Sequence, residues 1–236
     1  MGKNKLARFQ ENETFALLFQ PDFMSLLGGA HPLKGRWHSD FFHNNHPITL
    51  ELGCGRGEYT VEMAQMFPQR NFIGIDIKGA RLWRGAKTAT ELHLPNVAFV
   101  RTKIDVVTAL FAPNEVNEIW LTFPDPQPAK WRRRLCSSLF LKRYQQIIEN
   151  NGIVHLKTDS RNLHQYAKAL LLHNHIAPLC ASNDLYMEEL HKKENSQFLS
   201  IKTAYEKLFS AQGYAITYLQ FALPTNKAIE EPKDDN

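Results

Sequence analysis

Strands alternate with helices from Ile48 to Leu172, and this alternation predicts an α/β fold: a twisted, mostly parallel sheet with helices on both faces. Two further observations agree with it. A glycine-rich turn, Gly53-Cys54-Gly55-Arg56-Gly57, follows the first of those strands and opens a helix. An acid, Asp76, stands just past the second strand. In open sheets of this kind ligands sit beyond the carboxyl ends of the strands, where both features fall.

Ile48-Thr-Leu-Glu-Leu52 is a short strand, and after the glycine turn a helix runs to Phe67. Asn71 to Ile75 is the second strand and Gly79 to Leu92 the second helix. Val97 to Val100 is the third strand, with a short helix from Ile104 to Phe111 behind it. Glu118 to Phe123 is the fourth strand. Arg134 to Glu149 reads as an amphipathic helix, with Leu135, Leu139, Tyr144 and Ile147–Ile148 at helical spacings. Asn151-Gly152 turns into the strand Ile153 to Lys157, and Ser160 caps a helix through Leu172. Residues 183–212 are polar and read as helical up to Gly213, and Tyr214 to Phe221 is the final strand. Residues 1–45 lack the strand–helix pattern and read as an N-terminal arm, with a helix cap suggested at Glu13-Thr14.

A hydrophobic fraction of 43% over 236 residues is that of a globular chain, and no apolar run approaches a membrane span. No signal peptide opens the sequence. Cys54, Cys136 and Cys180 are widely spaced and odd in number, so neither a zinc site nor a disulfide framework is expected, and a reducing cytoplasm fits. The ten histidines show no metal-ligand spacing, so no metal is expected. The net charge of +4 is mild, but Lys130, Arg132, Arg133, Arg134, Lys142 and Arg143 crowd one acid-free segment. That local density fits a nucleic-acid partner.

The glycine turn is spaced G-x-G-x-G, not G-x-G-x-x-G, which argues against a pyrophosphate cradle. Glu51, directly before the turn, would repel a pyrophosphate but suits a cation. S-adenosylmethionine carries both a sulfonium and an ammonium, so Glu51, Gly53 and Gly55 are expected to hold that cofactor. Asp76 stands where such folds place an acid on the ribose hydroxyls. Its plainer alternative is a cap for the helix near Gly79.

Phe123-Pro-Asp-Pro-Gln-Pro-Ala-Lys-Trp-Arg-Arg-Arg134 leaves the fourth strand as a stiff loop, because three prolines fix φ and supply no donor. It presents Asp125 beside a dense cationic segment. Arg132, Arg133 and Arg134 are expected to meet phosphates, which set affinity and register without reading the base. Thr203 and Glu206 lie three apart, so they either share a helix face or form a local capping box.

With Leu50-Glu-Leu-Gly-Cys-Gly55, Gly74-Ile-Asp76, Phe123-Pro-Asp-Pro126, Lys157-Thr-Asp159 and Thr203-Ala-Tyr-Glu206 in hand, the chain resembles the bacterial tRNA (guanine-N7-)-methyltransferases over nearly its whole length. The resemblance implies a Rossmann-like class I methyltransferase fold, acting on tRNA at a variable-loop guanosine. It implies an N-terminal arm over 1–45, a methyltransferase domain over 46–225 and an acidic, frayed tail over 226–236. It implies that Glu51 and Asp76 bind S-adenosylmethionine, and that Asp125 is the catalytic acid, lying also at the cofactor. It places Asp159, Thr203, Tyr205 and Glu206 on the substrate guanosine. Lys103 stands where the family carries an acid near the adenine, with Asp105 two residues on. Ala129 stands where it carries a substrate-contacting lysine, with Lys130 adjacent. Two other readings remain open at this stage, a small-molecule methyltransferase and an RNA-binding protein with a degenerate pocket, as do monomer and homodimer.

Overall fold

The computed structural model describes residues 3–192 and 196–232, with side chains from residue 5 onward. The chain opens with helix α1 (Lys3–Asn12), the short strand β1 (Leu18–Phe19), helix α2 (Phe23–Gly28) and a π-helical turn at Trp37–Phe42. The alternating part follows: β2 (Ile48–Leu52), α3 (Glu58–Met66), β3 (Asn71–Asp76), α4 (Gly79–Glu91), β4 (Val97–Arg101), α5 (Val107–Leu110), β5 (Val116–Thr122), α6 (Ser138–Tyr144), β6 (Ile148–Thr158) and α7 (Arg161–His173). It closes with β7 (Pro178–Ser182), α8 (Ala204–Ala211) and β8 (Thr217–Leu223).

Among the described residues these strands form one sheet in the order β1-β4-β3-β2-β5-β6-β8-β7. Pairing is parallel from β1 through β6, and β8 runs antiparallel to both β6 and β7. The chain steps outward from β2 through β3 to β4, then returns to lay β5 on the other side of β2. That reversal makes a topological switch point between β2 and β5, and ligands of such sheets bind beyond the carboxyl ends of the strands there. Every residue of β2 is buried, as expected of a central strand covered on both faces. One core packs Leu50, Ile73, Ile119 and Leu156 against Trp37, Leu141 and Leu170. The other packs Phe72, Phe99 and Trp120 against Tyr59, Leu82 and Leu199.

Several expectations change. The arm is not separate from the sheet: β1 pairs with β4, Asn12 donates to the carbonyl of Gly79 at 2.9 Å, and Glu13-Thr14 directly follow the end of α1. The amphipathic helix expected over Arg134 to Glu149 shortens to Ser138–Tyr144, because Ile148 pairs with Val116 and starts β6. Among the described residues of 183–212 only Ala204–Ala211 is α-helix, with short 3-10 turns before it, and β7 was not foreseen. The tail is docked as far as residue 232. Ile229 is fully buried, Glu230 exchanges two hydrogen bonds with Asn174, and Glu231 accepts from the Ser138 N–H and the Tyr166 hydroxyl. Its acidic composition hid this, since one apolar side chain and paired backbone groups suffice to anchor it. Residues 233–236 lie outside the described residues.

Candidate active site

The ends of β2, β3, β5 and β6 carry most of the residues singled out from the sequence. Gly53, Gly55 and Gly57 all adopt positive φ, at 83°, 57° and 68°. Their roles differ. A Cβ on Gly57 would lie 2.6 Å from Phe99, so this glycine lets the turn seat against the sheet. A Cβ on Gly55 would meet nothing within 4 Å, so the backbone there faces open space. Asp76 organises the turn: one oxygen accepts from the Gly55 N–H at 2.9 Å and the other from the Lys78 N–H at 2.7 Å. The helix after it starts without a side-chain cap, so Asp76 is not a capping residue.

Glu51 is only 2% exposed. Its carboxylate accepts from the Thr60 N–H at 2.9 Å, from the Thr60 hydroxyl and from the Thr122 hydroxyl. Burial pushes its pKa up to about 7, and the charge of Asp76 adds to this, while the threonine hydrogen bonds oppose it. Glu51 therefore lies beneath the turn, fastening β2 to α3 and β5.

Asp125 is exposed on the loop after β5, and its Oδ1 accepts from the Gln127 N–H at 3.1 Å. The loop is stiff for more reasons than its prolines. Phe123 turns the chain at φ 48°, unusual for a bulky residue, while its N–H donates to the Lys157 carbonyl at 2.8 Å. Arg134 then reaches back and donates to the carbonyls of Pro126, Gln127 and Pro128 at 3.2–3.3 Å, with its guanidinium 4.2 Å from the Tyr166 ring. Arg134 is thus a brace for this loop and not a free phosphate contact. Lys130, Arg132 and Arg133 remain exposed beside it.

Asp159, at the end of β6, accepts from the Tyr205 hydroxyl at 3.1 Å, and the Tyr205 ring lies 5.4 Å from Phe123. Tyr205 thereby links the Asp125 loop, Asp159 and α8. Thr203 is the N-cap of α8, accepting from the Glu206 N–H at 3.1 Å. Glu206 does not complete the capping box. It is fully buried, 2.9 Å from the equally buried Lys157 ammonium, and accepts from the Tyr186 hydroxyl. Burial lowers the Lys157 pKa, and Glu206 opposes that.

Lys103 lies over the Phe23 ring, and Asp105 pairs with Arg143 of α6 at 3.5 Å. Sequence reasoning missed Thr60, Thr122, Lys157 and Glu58, whose carboxylate accepts from the Ala204 N–H at 3.0 Å and ties α8 to the glycine turn. Lys157 alone left a signal: a charged residue inside an apolar strand needs a buried partner. The open backbone at Gly55, the strand-end acid Asp76 and the acid beneath the turn fit S-adenosylmethionine, which is uncharged at its adenosine end and cationic at the other.

A family model described as "Putative methyltransferase" matches residues 45–219. The chain is 51% identical over 225 residues to a tRNA (guanine-N(7)-)-methyltransferase of Christiangramia forsetii, an alignment covering 94% of this chain and 99% of that protein. It is 44% identical over 232 residues to the protein of that name from Bacteroides thetaiotaomicron, covering 98% and 90%. Among solved structures, the 16S rRNA methyltransferase KamB superposes with a TM-score of 0.59 at 12% identity, over 79% of this chain and 92% of that one. A 30S ribosomal A1408 methyltransferase from an uncultured bacterium gives 0.57 at 13%, over 78% and 91%. At such identities the likeness is one of fold alone.

Proposed function

The chain belongs to the tRNA (guanine-N(7)-)-methyltransferase family, and from that premise we infer that it methylates N7 of a guanosine in tRNA at the sheet edge described above. The observation that carries this reading is the near full-length identity to proteins of that name, joined to the gathering of Gly55, Asp76, Asp125 and Asp159 on adjacent strand ends.

S-adenosylmethionine, when bound, supplies an electrophilic methyl group on its sulfonium. Gly53 and Gly55 would hold it through their backbone, Asp76 through its ribose hydroxyls, and Glu51 through the negative potential it sets beneath the turn. Guanine N7 has a lone pair and no proton, so no side chain has to act as a base before transfer. The residues must instead hold the base in line with the methyl group, and such positioning contributes up to about 7–11 kcal/mol. Positive charge develops on the purine as the new bond forms. Asp125 and Asp159, fixed on stiff strand ends, would offset that charge. A carboxylate here also accepts from guanine N1–H and the 2-amino group, which adenine cannot offer. Lys130, Arg132 and Arg133 would take backbone phosphates.

The buried Lys157–Glu206 pair gives the substrate side its shape. It fixes α8, and with it Thr203 and Tyr205, against β6. Glu206 thus supports the guanosine site from behind, while Tyr205 and Asp159 face it.

The test is to incubate the protein with labelled S-adenosylmethionine and unmodified tRNA, then map the label. The reading predicts 7-methylguanosine at one position, and no label in the RNA would reject it.

A further inference from the structure

Four aromatic rings run in a row along the strand-end face. Phe123 lies 5.4 Å from Tyr205, Tyr205 stacks on Phe209 at 4.3 Å, and Phe209 meets Tyr214 edge-on at 5.5 Å. The row starts at the Asp125 loop and passes Asp159 at the Tyr205 hydroxyl. It ends at a cavity of about 430 Å³ lined by Asp159, Ser160, Arg161, Asn162, Gly213 and Tyr214.

Phe123 packs against the core, but the two tyrosines of the row do not. Tyr205 and Tyr214 are 45% and 55% exposed. Gly213 stands at φ 83° with nothing within 4 Å of its missing Cβ, so the turn before β8 leaves the cavity clear. Arg161 is exposed and makes no ion pair among the described residues. Asn162, exposed beside it, offers both a donor and an acceptor. The polarity is graded: Asp159 disfavours a phosphate at the inner end but welcomes base N–H groups, and Arg161 favours an anion at its own end.

RNA strands outside duplexes are held by stacking unstacked bases on aromatic rings, with cations on the backbone. We propose that this cavity is a second nucleotide subsite. It takes the nucleotide adjacent to the target guanosine, with its base on the Tyr214 ring, its edge toward Asn162 and its phosphate toward Arg161. The proposal rests on the tRNA reading given above. Because every base has a π face, the subsite grips the strand and fixes its register without selecting sequence. It would also hold the neighbouring base away from the guanosine, freeing the guanine edge for Asp125 and Asp159.

The test uses two unmodified tRNAs, one carrying 2-aminopurine on the 5′ side of the target guanosine and one on the 3′ side. Each is bound to the wild type, Tyr214→Ala and Tyr214→Phe. At one of the two positions the probe is expected to be brighter on Tyr214→Ala than on the wild type or the Phe variant, since the ring that quenches it is gone. Tyr214→Ala should raise KM for tRNA by about 5- to 100-fold, with KM for S-adenosylmethionine unchanged and full activity kept by Tyr214→Phe. Arg161→Ala should reduce the slope of log K against log salt by about one. Equal brightness at both positions, or an unchanged tRNA KM in Tyr214→Ala, overturns the subsite while leaving the function standing. If the wild type neither binds nor methylates tRNA, the function falls and the subsite with it.

Discussion

Glu51→Gln should stabilise the cofactor-free protein at alkaline pH while weakening its grip on S-adenosylmethionine. The carboxylate is buried between Thr60 and Thr122, and burial, its largest perturbation, raises its pKa from 4.5 to about 7. A raised folded pKa means that the contribution of Glu51 to stability is complete below the unfolded value and is lost as pH rises through about 7. A rise from 4.5 to about 7 corresponds to about 3 kcal/mol between pH 4 and pH 8.5. Glutamine has the same shape, can accept from Thr60 through its oxygen and can donate to the Thr122 hydroxyl, and carries no charge to bury. At pH 8.5 the variant should therefore melt higher, by up to about 6–12 °C for a chain of this size. At pH 4.5 the two proteins should melt alike. Other titrating groups are common to both, so the difference between their melting curves isolates residue 51. In calorimetric titration at pH 8.5 the variant should bind the cofactor more weakly, by about 1–3 kcal/mol, the order expected for losing one unit charge beneath the turn. A melting difference that does not change with pH, or a variant less stable than the wild type at pH 8.5, would refute the buried-charge argument.

Three further outcomes follow from the same geometry. Lys157→Met should lower stability in urea by about 3–5 kcal/mol by leaving Glu206 buried without a counterion, and Lys157→Met with Glu206→Gln should recover more than half of that. Replacing Arg132 and Arg133 with Ala should reduce the slope of log K for tRNA against log salt by about 2, one per phosphate lost. Arg134→Ala should leave that slope nearly unchanged and lower kcat instead, because Arg134 braces the Asp125 loop.

The central sheet was legible in the sequence because its signals are local. β2 and β3 are mainly apolar runs ended by Gly53 and Asp76, β4 is a further apolar run, and Asp76, the glycine turn and the Phe-Pro-Asp-Pro loop fall on strand ends as the pattern requires. What was not legible depends on partners far along the chain. Strand β1 is two residues long and exists because β4 offers an edge to pair with. Glu206 looked like half of a capping box, but a lysine 49 positions earlier draws its carboxylate inward. Arg134 carries the same charge as its two neighbours, and only the fold shows three carbonyls within its reach. The tail looked acidic and frayed, yet Ile229 is buried in the core and Glu231 finds partners on α6 and α7.

Asp125 is proposed to stand where the methyl donor and guanine meet. The most direct measurement is the single-turnover rate of Asp125→Asn at saturating S-adenosylmethionine and tRNA, beside the wild type. Loss of a fixed charge aimed at the developing cation should slow transfer by about 10²–10³-fold, with the fold intact by circular dichroism. A rate within a factor of two of the wild type would contradict the placement of the reaction at this loop.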